Sequence, residues 1–379
     1  MASIDNDALR TSIQQQAFLL VPATRREHVN LYLDSTILAA GQTVGPDFQN
    51  IKAPASCVVV FADKEPAANF GHPCSYHFFD ATNGNHLTTV PARFPPYATK
   101  PPETLVGFHL PVRTGPTTII ANLPPIARCP ILLPDGTRYA ILYAGMSNMR
   151  HLNDLEFCYR MLIDRYGFAP ANITALSYDG TLNTQDGLAT KWPGDGNAYR
   201  IKINGQGNKA AFEAAFASLK TKLGSNDLLF IHTNNHGDNN GQQSFLCEYP
   251  NWGQYMATDF CTDLATLPKY RALMVMMEQC NSGGFNQPVL KASTAASTSI
   301  ASAAIATQSS YASPDGNWDS FARDWIAAEF GHEPNGAGLA HNPDTNGDGV
   351  VSAKEAFNYA LSVQNPSDSP NYASTSSPS

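Results

Sequence analysis

A chain of 379 residues, 43% hydrophobic and 15% charged, has the size of a globular protein with one large domain and a smaller one. Its net charge of −8 argues against nucleic acid or an anionic membrane surface as the main partner, so a protein, peptide or small molecule is expected. No window approaches the ~20 consecutive apolar residues that span a bilayer, and Met1–Asp7 lacks the basic patch and apolar core of a secretory signal, so a soluble protein of undefined compartment is expected.

Residues 1 to about 125 carry short β-rich runs, Cys57 to Phe61 and Thr117 to Ile120, separated by proline-dense segments such as Phe94-Pro95-Pro96 and Lys100-Pro101-Pro102. They predict a loop-rich β region without an assignable motif. From Thr137 the texture changes to strand and helix in alternation. Tyr139 to Ala144 reads as a buried strand, Leu152 to Tyr166 as a helix with Leu155, Cys158, Tyr159, Leu162 and Ile163 at helical spacing, and Ile173 to Tyr178 as a second strand. Lys209 to Leu223 is a further helix, with Phe212, Phe216 and Leu219 on one face and Gly224 at its end. Strands Leu228 to Thr233, Ala272 to Met277 and Thr298 to Thr307 follow, and the tail after Pro366, rich in Ser, Pro and Asn, is expected to be disordered. The fold class this implies is α/β, a mostly parallel sheet flanked by helices, preceded by the β-rich region.

The cysteines at 57, 74, 129, 158, 247, 261 and 280 are odd in number and lack CxxC spacing, so neither zinc nor a disulfide framework is suggested. One of them stands out. Cys280 follows the apolar run Ala272 to Met277 in Glu278-Gln279-Cys280-Asn281-Ser282-Gly283-Gly284, and His236 follows the apolar run to Ile231 in Asn235-His236-Gly237. Both sit where a buried strand gives way to a small-residue turn, the place where open α/β sheets keep their chemistry. A thiol with an unperturbed pKa near ~8.5 needs a base to attack a carbonyl at neutral pH, and histidine can take that proton and return it to the leaving amine. The amides following Cys280 and around Gly237 would serve a developing oxyanion.

The order of apolar strand, His-Gly, apolar strand and Glu-x-Cys resembles the caspase-like superfamily of cysteine peptidases and, within it, the legumain (asparaginyl endopeptidase) family, over roughly residues 137 to 330. The segment Tyr143-Ala144-Gly145-Met146-Ser147-Asn148-Met149-Arg150-His151 is similar to the legumain strand end with its asparagine and Arg-His pair. The resemblance implies that Asn148 orients His236 and that Arg150, Glu278 and Asp319 line the S1 pocket. Such a pocket suits a carboxamide, whose two ends need a donor and acceptors, and would take aspartate only when acid protonates it. Asn235 departs from the aspartate typical of legumains, and the long C-terminal prodomain is absent, so latency would have to come from the N-terminal region or a loop.

Asp344 to Glu355 fits the twelve-residue calcium loop: Asp344, Asn346 and Asp348 as side-chain ligands, Gly349 at the turn, Val350 through its carbonyl, Ser352 directly or through water, and Glu355 bidentate. Glu333-Pro334-Asn335-Gly336 breaks any entering helix, while Ala353 to Val363 is a credible exiting one, which suits a structural calcium site. The chain is thus divided at 1–125, 126–332, 333–365 and 366–379. The leading expectation is a cysteine endopeptidase acting after Asn on peptide or protein substrates, with calcium and no organic cofactor. The alternatives are a non-catalytic calcium-stabilised binding module and a caspase-fold peptidase or transpeptidase of other P1 choice.

Overall fold

The computed structural model describes residues 3–4, 6–46, 49–66, 72–96, 103–111, 136–364 and 367–375. Thr117 to Ile120, Cys129, Lys100-Pro101-Pro102 and Asn365 lie outside them. The chain divides into two compact units, Met1–Gly115 and Pro116–Ser379.

In the first unit five antiparallel strands stand in the order His86–Ala92, Cys74–Asp80, Cys57–Asp63, Asn30–Leu38, Leu105–His109. Cys57–Asp63 is central, and alternation along it sends Val58, Val60 and Ala62 to one apolar cluster and Cys57, Val59 and Phe61 to another. The first cluster also takes Ile13 and Ala17 of the helix Asp7–Leu20, which Asn6 caps through its side chain. That helix is absent from the sequence reading, because its buried face is narrow, only Ile13 and Ala17, and half of its residues are polar.

The second unit is built on seven strands: β1 Arg138–Ala144, β2 Ile173–Ser177, β3 Ile203–Gly205, β4 Leu228–Thr233, β5 Tyr270–Met277, β6 Ala295–Ser302 and β7 Asn371–Ser374. Their order is β3-β2-β1-β4-β5-β6-β7, parallel except for β7. Helices cover both faces. Leu142, Phe230 and Met276 pack with α1 (Met149–Arg160), α4 (Ser320–Phe330) and α5 (Ala353–Val363). Ile141, Ile231 and Val275 pack on the other face with α2 (Lys209–Lys220) and α3 (Ala257–Leu264). Burial on both faces is why these strands read as continuous apolar runs. This mostly parallel, helix-flanked sheet is the caspase-like architecture.

From β1 the chain winds outward to β2 and β3, and from β4 it winds the other way to β5 and β6. Crevices open at such a reversal, beyond the carboxyl ends of the strands. Thr233 is paired with Tyr143 on one side and Met277 on the other. His236 and Cys280 therefore leave adjacent strands at equivalent steps, with Asn148 just past the end of β1.

The helix read from Leu152 to Tyr166 begins at Met149 and passes after Arg160 into a π-helical turn, Met161–Arg165, and two further elements differ from the sequence reading. Strand β6 stops at Ser302, short of Thr307: Ala303 makes the last ladder bond, donating to the Met277 carbonyl at 2.9 Å, and Ala304 O then accepts from Gly283 N at 2.7 Å in the cysteine turn. The tail expected to be disordered instead supplies β7, with Ala373 opposite Ile300 and the Tyr372 ring 5.5 Å from that of Phe357. Its polar composition hid this, since what holds it is backbone pairing to an otherwise open sheet edge. No helix among the described residues is long and apolar enough to cross a membrane.

Candidate active site

Beyond β5 the chain makes a tight turn in which Asn281 adopts a left-handed φ of 60°, a conformation asparagine tolerates better than most residues. The turn consumes its own amides. Asn281 donates to Gln308 O at 2.8 Å, Ser282 to Gln279 O at 3.1 Å, Gly283 to Ala304 O at 2.7 Å and Gly284 to Asn281 O at 3.1 Å. The expectation that amides following Cys280 serve an oxyanion is therefore corrected: they build the turn. Gly237 belongs to a three-stranded meander, Gly237–Asn239, Ser244–Glu248 and Gly253–Met256. A Cβ on Gly237 would lie 2.6 Å from Gln279 Cγ and 2.9 Å from Cys280 O, so only glycine lets the histidine loop close on the cysteine loop.

His236 is nearly fully buried, and its Nε2 lies 2.6 Å from Asn148 Oδ1. An amide oxygen only accepts, so Nε2 carries the hydrogen and Nδ1 is left as the basic nitrogen. Two rings fix the plane of the imidazole: Trp252 at 5.3 Å, tilted by 32°, and His151 edge-on at 4.7 Å. His151 accepts from the Asn148 amide at 3.0 Å through Nδ1, and its own pKa is driven well down by burial, then by Arg150 and His236. The sequence reading gave no role to either ring. The Arg-His pair hinted at His151, but nothing adjacent in sequence points to Trp252.

Cys280 is wholly buried. Burial pushes its thiol up to about 11, against the opposing effect of hydrogen bonds with Ser310 and Ser309. The resting thiol is therefore protonated at neutral pH and needs a base to attack.

Arg150, Glu278 and Asp319 do come together. Arg150 Nε donates to Asp319 Oδ1 at 2.9 Å, with 17% of the arginine side chain exposed and none of the aspartate. Asp319 is the N-cap residue of α4. Glu278 is fully buried; Oε2 accepts from Ala322 N at 2.7 Å, in the first turn of α4, and Oε1 has no hydrogen-bond partner among the described residues. Asp154, unremarked in the sequence, joins the group: its Oδ2 accepts from Asp319 N and from Asn234 Nδ2, each at 2.8 Å. Burial, then the charge of Asp319, raises both Glu278 and Asp154 well above the carboxylate range. Arg150 thus faces a group of buried acids in which burial works against the charged forms of Glu278 and Asp154.

Residues 138–331 match the peptidase C13 family. The chain belongs to that family. Among solved structures, a structural genomics target from Geobacter sulfurreducens is 15% identical, covering 64% of this chain and 95% of its own, with a TM-score of 0.40. No curated protein matches.

In this C13 peptidase the matched span runs from β1 to the end of α4, so the first unit and the Asp344–Glu355 segment fall outside it. Asn235, which stands where the resemblance led one to expect aspartate, is buried and donates through Nδ2 to the Cys247 carbonyl, a bond an ionised carboxylate could not make. The segment 344–355 has the turn its motif predicts, with Gly349 at a φ of 84° and Asp344 Oδ2 accepting from its amide at 2.9 Å. Its carboxylates do not converge: Glu355 Oε1 accepts from Thr345 N at 2.9 Å and Asn346 N at 3.2 Å, and among the described residues no three His, Cys, Asp or Glu side chains gather as a metal site. Helix α5 follows directly, with Ser352 and Glu355 as a capping box, and no helix enters the loop.

Proposed function

We propose that this C13 peptidase is a cysteine endopeptidase that cleaves after Asn, and after Asp at acidic pH, through an acyl-enzyme on Cys280. The observation that carries this is the Asn148 to His236 hydrogen bond, which leaves Nδ1 as the base beside the loop that holds the thiol. As the Cys280 sulfur attacks the scissile carbonyl, its proton passes to His236 Nδ1. The oxyanion is met by the amide of Cys280 itself and by that of Gly237. His236 O accepts from Cys247 N at 2.9 Å, so by the alternation of an antiparallel ladder the neighbouring Gly237 is the residue whose N–H points out of it. His236 then returns the proton to the leaving amine, and a water activated by the same nitrogen releases the acyl group.

In the P1 pocket Arg150 offers donors to a side-chain carbonyl, Asp319 accepts from an amide, and Glu278, whose pKa burial raises, presents Oε1. A P1 aspartate would be repelled by Asp319 until acid protonates one of the two carboxyls. A P1 arginine or lysine would face Arg150.

Calcium is proposed as a structural ion. Asp344, Asn346, Asp348, Val350 O, Ser352 and Glu355 are an all-oxygen set suited to it, and binding would draw Glu355 away from its present amide partners.

The test is initial-rate cleavage of fluorogenic peptides differing only at P1 (Asn, Asp, Arg, Ala) from acidic to neutral pH, with Cys280→Ala as control. Turnover after Asn that vanishes in the control supports the reading. Cleavage after Arg removes the pocket assignment. Silence, together with no labelling of Cys280 by a thiol probe, would turn the choice to a binding module on this fold.

A further inference from the structure

Asparagine is a poor orienter when left alone, because its amide can present either oxygen or NH2 to a neighbour. Asn148 is not left alone. Its Nδ2 lies 3.0 Å from Asp186 Oδ1 and 3.2 Å from Oδ2, and the same carboxylate accepts from the Met149 amide, at the first turn of α1, at 2.6 Å. Asp186 reaches this place from the loop after β2, where Thr184 Oγ1 accepts from the Asp186 amide at 3.2 Å and the neighbouring Gln185 donates to Ser147 O at 2.8 Å and to Met146 O at 3.1 Å. The loop is thus pinned to the strand end that carries Asn148.

We propose that Asp186 is a positioning residue for catalysis: it fixes which face of the Asn148 amide His236 sees, and through it which imidazole nitrogen is the base. An ionised carboxylate has no hydrogen to give, so it holds Nδ2 toward itself and turns Oδ1 toward His236, whose Nε2 must then donate. If the amide flipped, its NH2 would face Nε2, the imidazole hydrogen would move to Nδ1, and the base toward Cys280 would be lost. The chain Asp186, Asn148, His236, Cys280 is therefore a directed relay of orientation in which only the last two groups touch the reaction. The proposal rests on His236 acting as the base.

Asp186→Asn keeps the shape and abolishes the one-way preference, since asparagine can either accept or donate. It should lower kcat/KM about 10- to 100-fold, chiefly in kcat, in the manner of a mis-set imidazole tautomer. The Met149 amide would keep an acceptor, so helix capping is preserved. The decisive variant is the pair Asn148→Asp with Asp186→Asn. With Asp at 148 both side-chain oxygens accept, orientation no longer matters, and Asp186→Asn should then raise activity above that of Asn148→Asp alone by removing a carboxylate pair. A role limited to holding the loop would give the same loss in both backgrounds and would overturn the proposal.

A second readout does not need turnover. The 15N shifts of the His236 ring, in the full chain labelled at histidine and assigned with His236→Gln, should show hydrogen on Nε2 in the wild type and a mixture of tautomers in Asp186→Asn. An unchanged tautomer in Asp186→Asn refutes the role of Asp186. A wild-type chain with the right tautomer and no peptide cleavage would instead refute the proposed activity.

Discussion

At the scale of single residues, the chemistry of this site is set by burial. Cys280, Glu278 and Asp154 differ in type, yet burial at the covered end of the sheet and under α1 pushes the pKa of each upward, against the charged form. For Glu278 the consequence has a sign. Its folded pKa lies above the unfolded value of about 4.3, so its contribution to stability is complete below that pH and is lost as pH rises through the folded value. Glu278→Gln cannot ionise and still accepts from Ala322 N. The difference in Tm between Glu278→Gln and wild type should be smallest near pH 4 and grow in favour of the variant toward pH 8. A constant difference across that range would show that Glu278 is ionised in the folded protein. Cys280, His236, Arg150 and Glu278 were legible as residues because each stands in a short motif beside an apolar run. Trp252, Asp154 and Asp186 were not: each reaches the site from a loop or helix whose local sequence serves its own folding.

At the scale of elements, α5 shows one side chain held by two demands. Glu355 closes the capping box, Oε2 accepting from Ser352 N at 2.9 Å, while Oε1 gathers the amides of Thr345 and Asn346. Against burial, the bonds from Ser352 and Thr345 hold the carboxyl down to about 2, so it is ionised at any ordinary pH. Calcium should therefore raise Tm by engaging a group that is already charged. Glu355→Gln should lose that calcium-dependent rise, whereas Ser352→Ala, which removes the N-cap oxygen and one proposed ligand, should cost about 1 kcal/mol without calcium and reduce the rise without abolishing it. A calcium-dependent rise that survives Glu355→Gln would exclude this loop as the binding site. The helix was visible beforehand because its cap, apolar face and length all agree. The strand after it was not, because four residues of mixed polarity carry no periodic signal and gain their shape from the edge they join.

At the scale of the whole molecule, the two units have separate apolar clusters, and everything described at the active site belongs to the second. Residues 116–379 expressed alone should fold cooperatively and, if the proposed activity is right, cleave the same peptides with a similar P1 order. A non-cooperative melt for that fragment, with the full chain melting sharply, would show that the first unit is needed for the second to fold.

The sequence by itself determined the parallel core and the candidate nucleophile and base at its strand ends, since apolar runs on both faces of a sheet and a thiol or imidazole beyond them are local patterns. It determined the calcium-loop motif for the same reason. The tertiary structure decided the rest: which amides are spent on the cysteine turn, which acids burial pushes away from the charged form, and which carboxylate faces the Asn148 amide. Those outcomes depend on hydrogen bonds between residues far apart in the chain and on the loss of solvent when the sheet is covered, and neither leaves a trace in spacing.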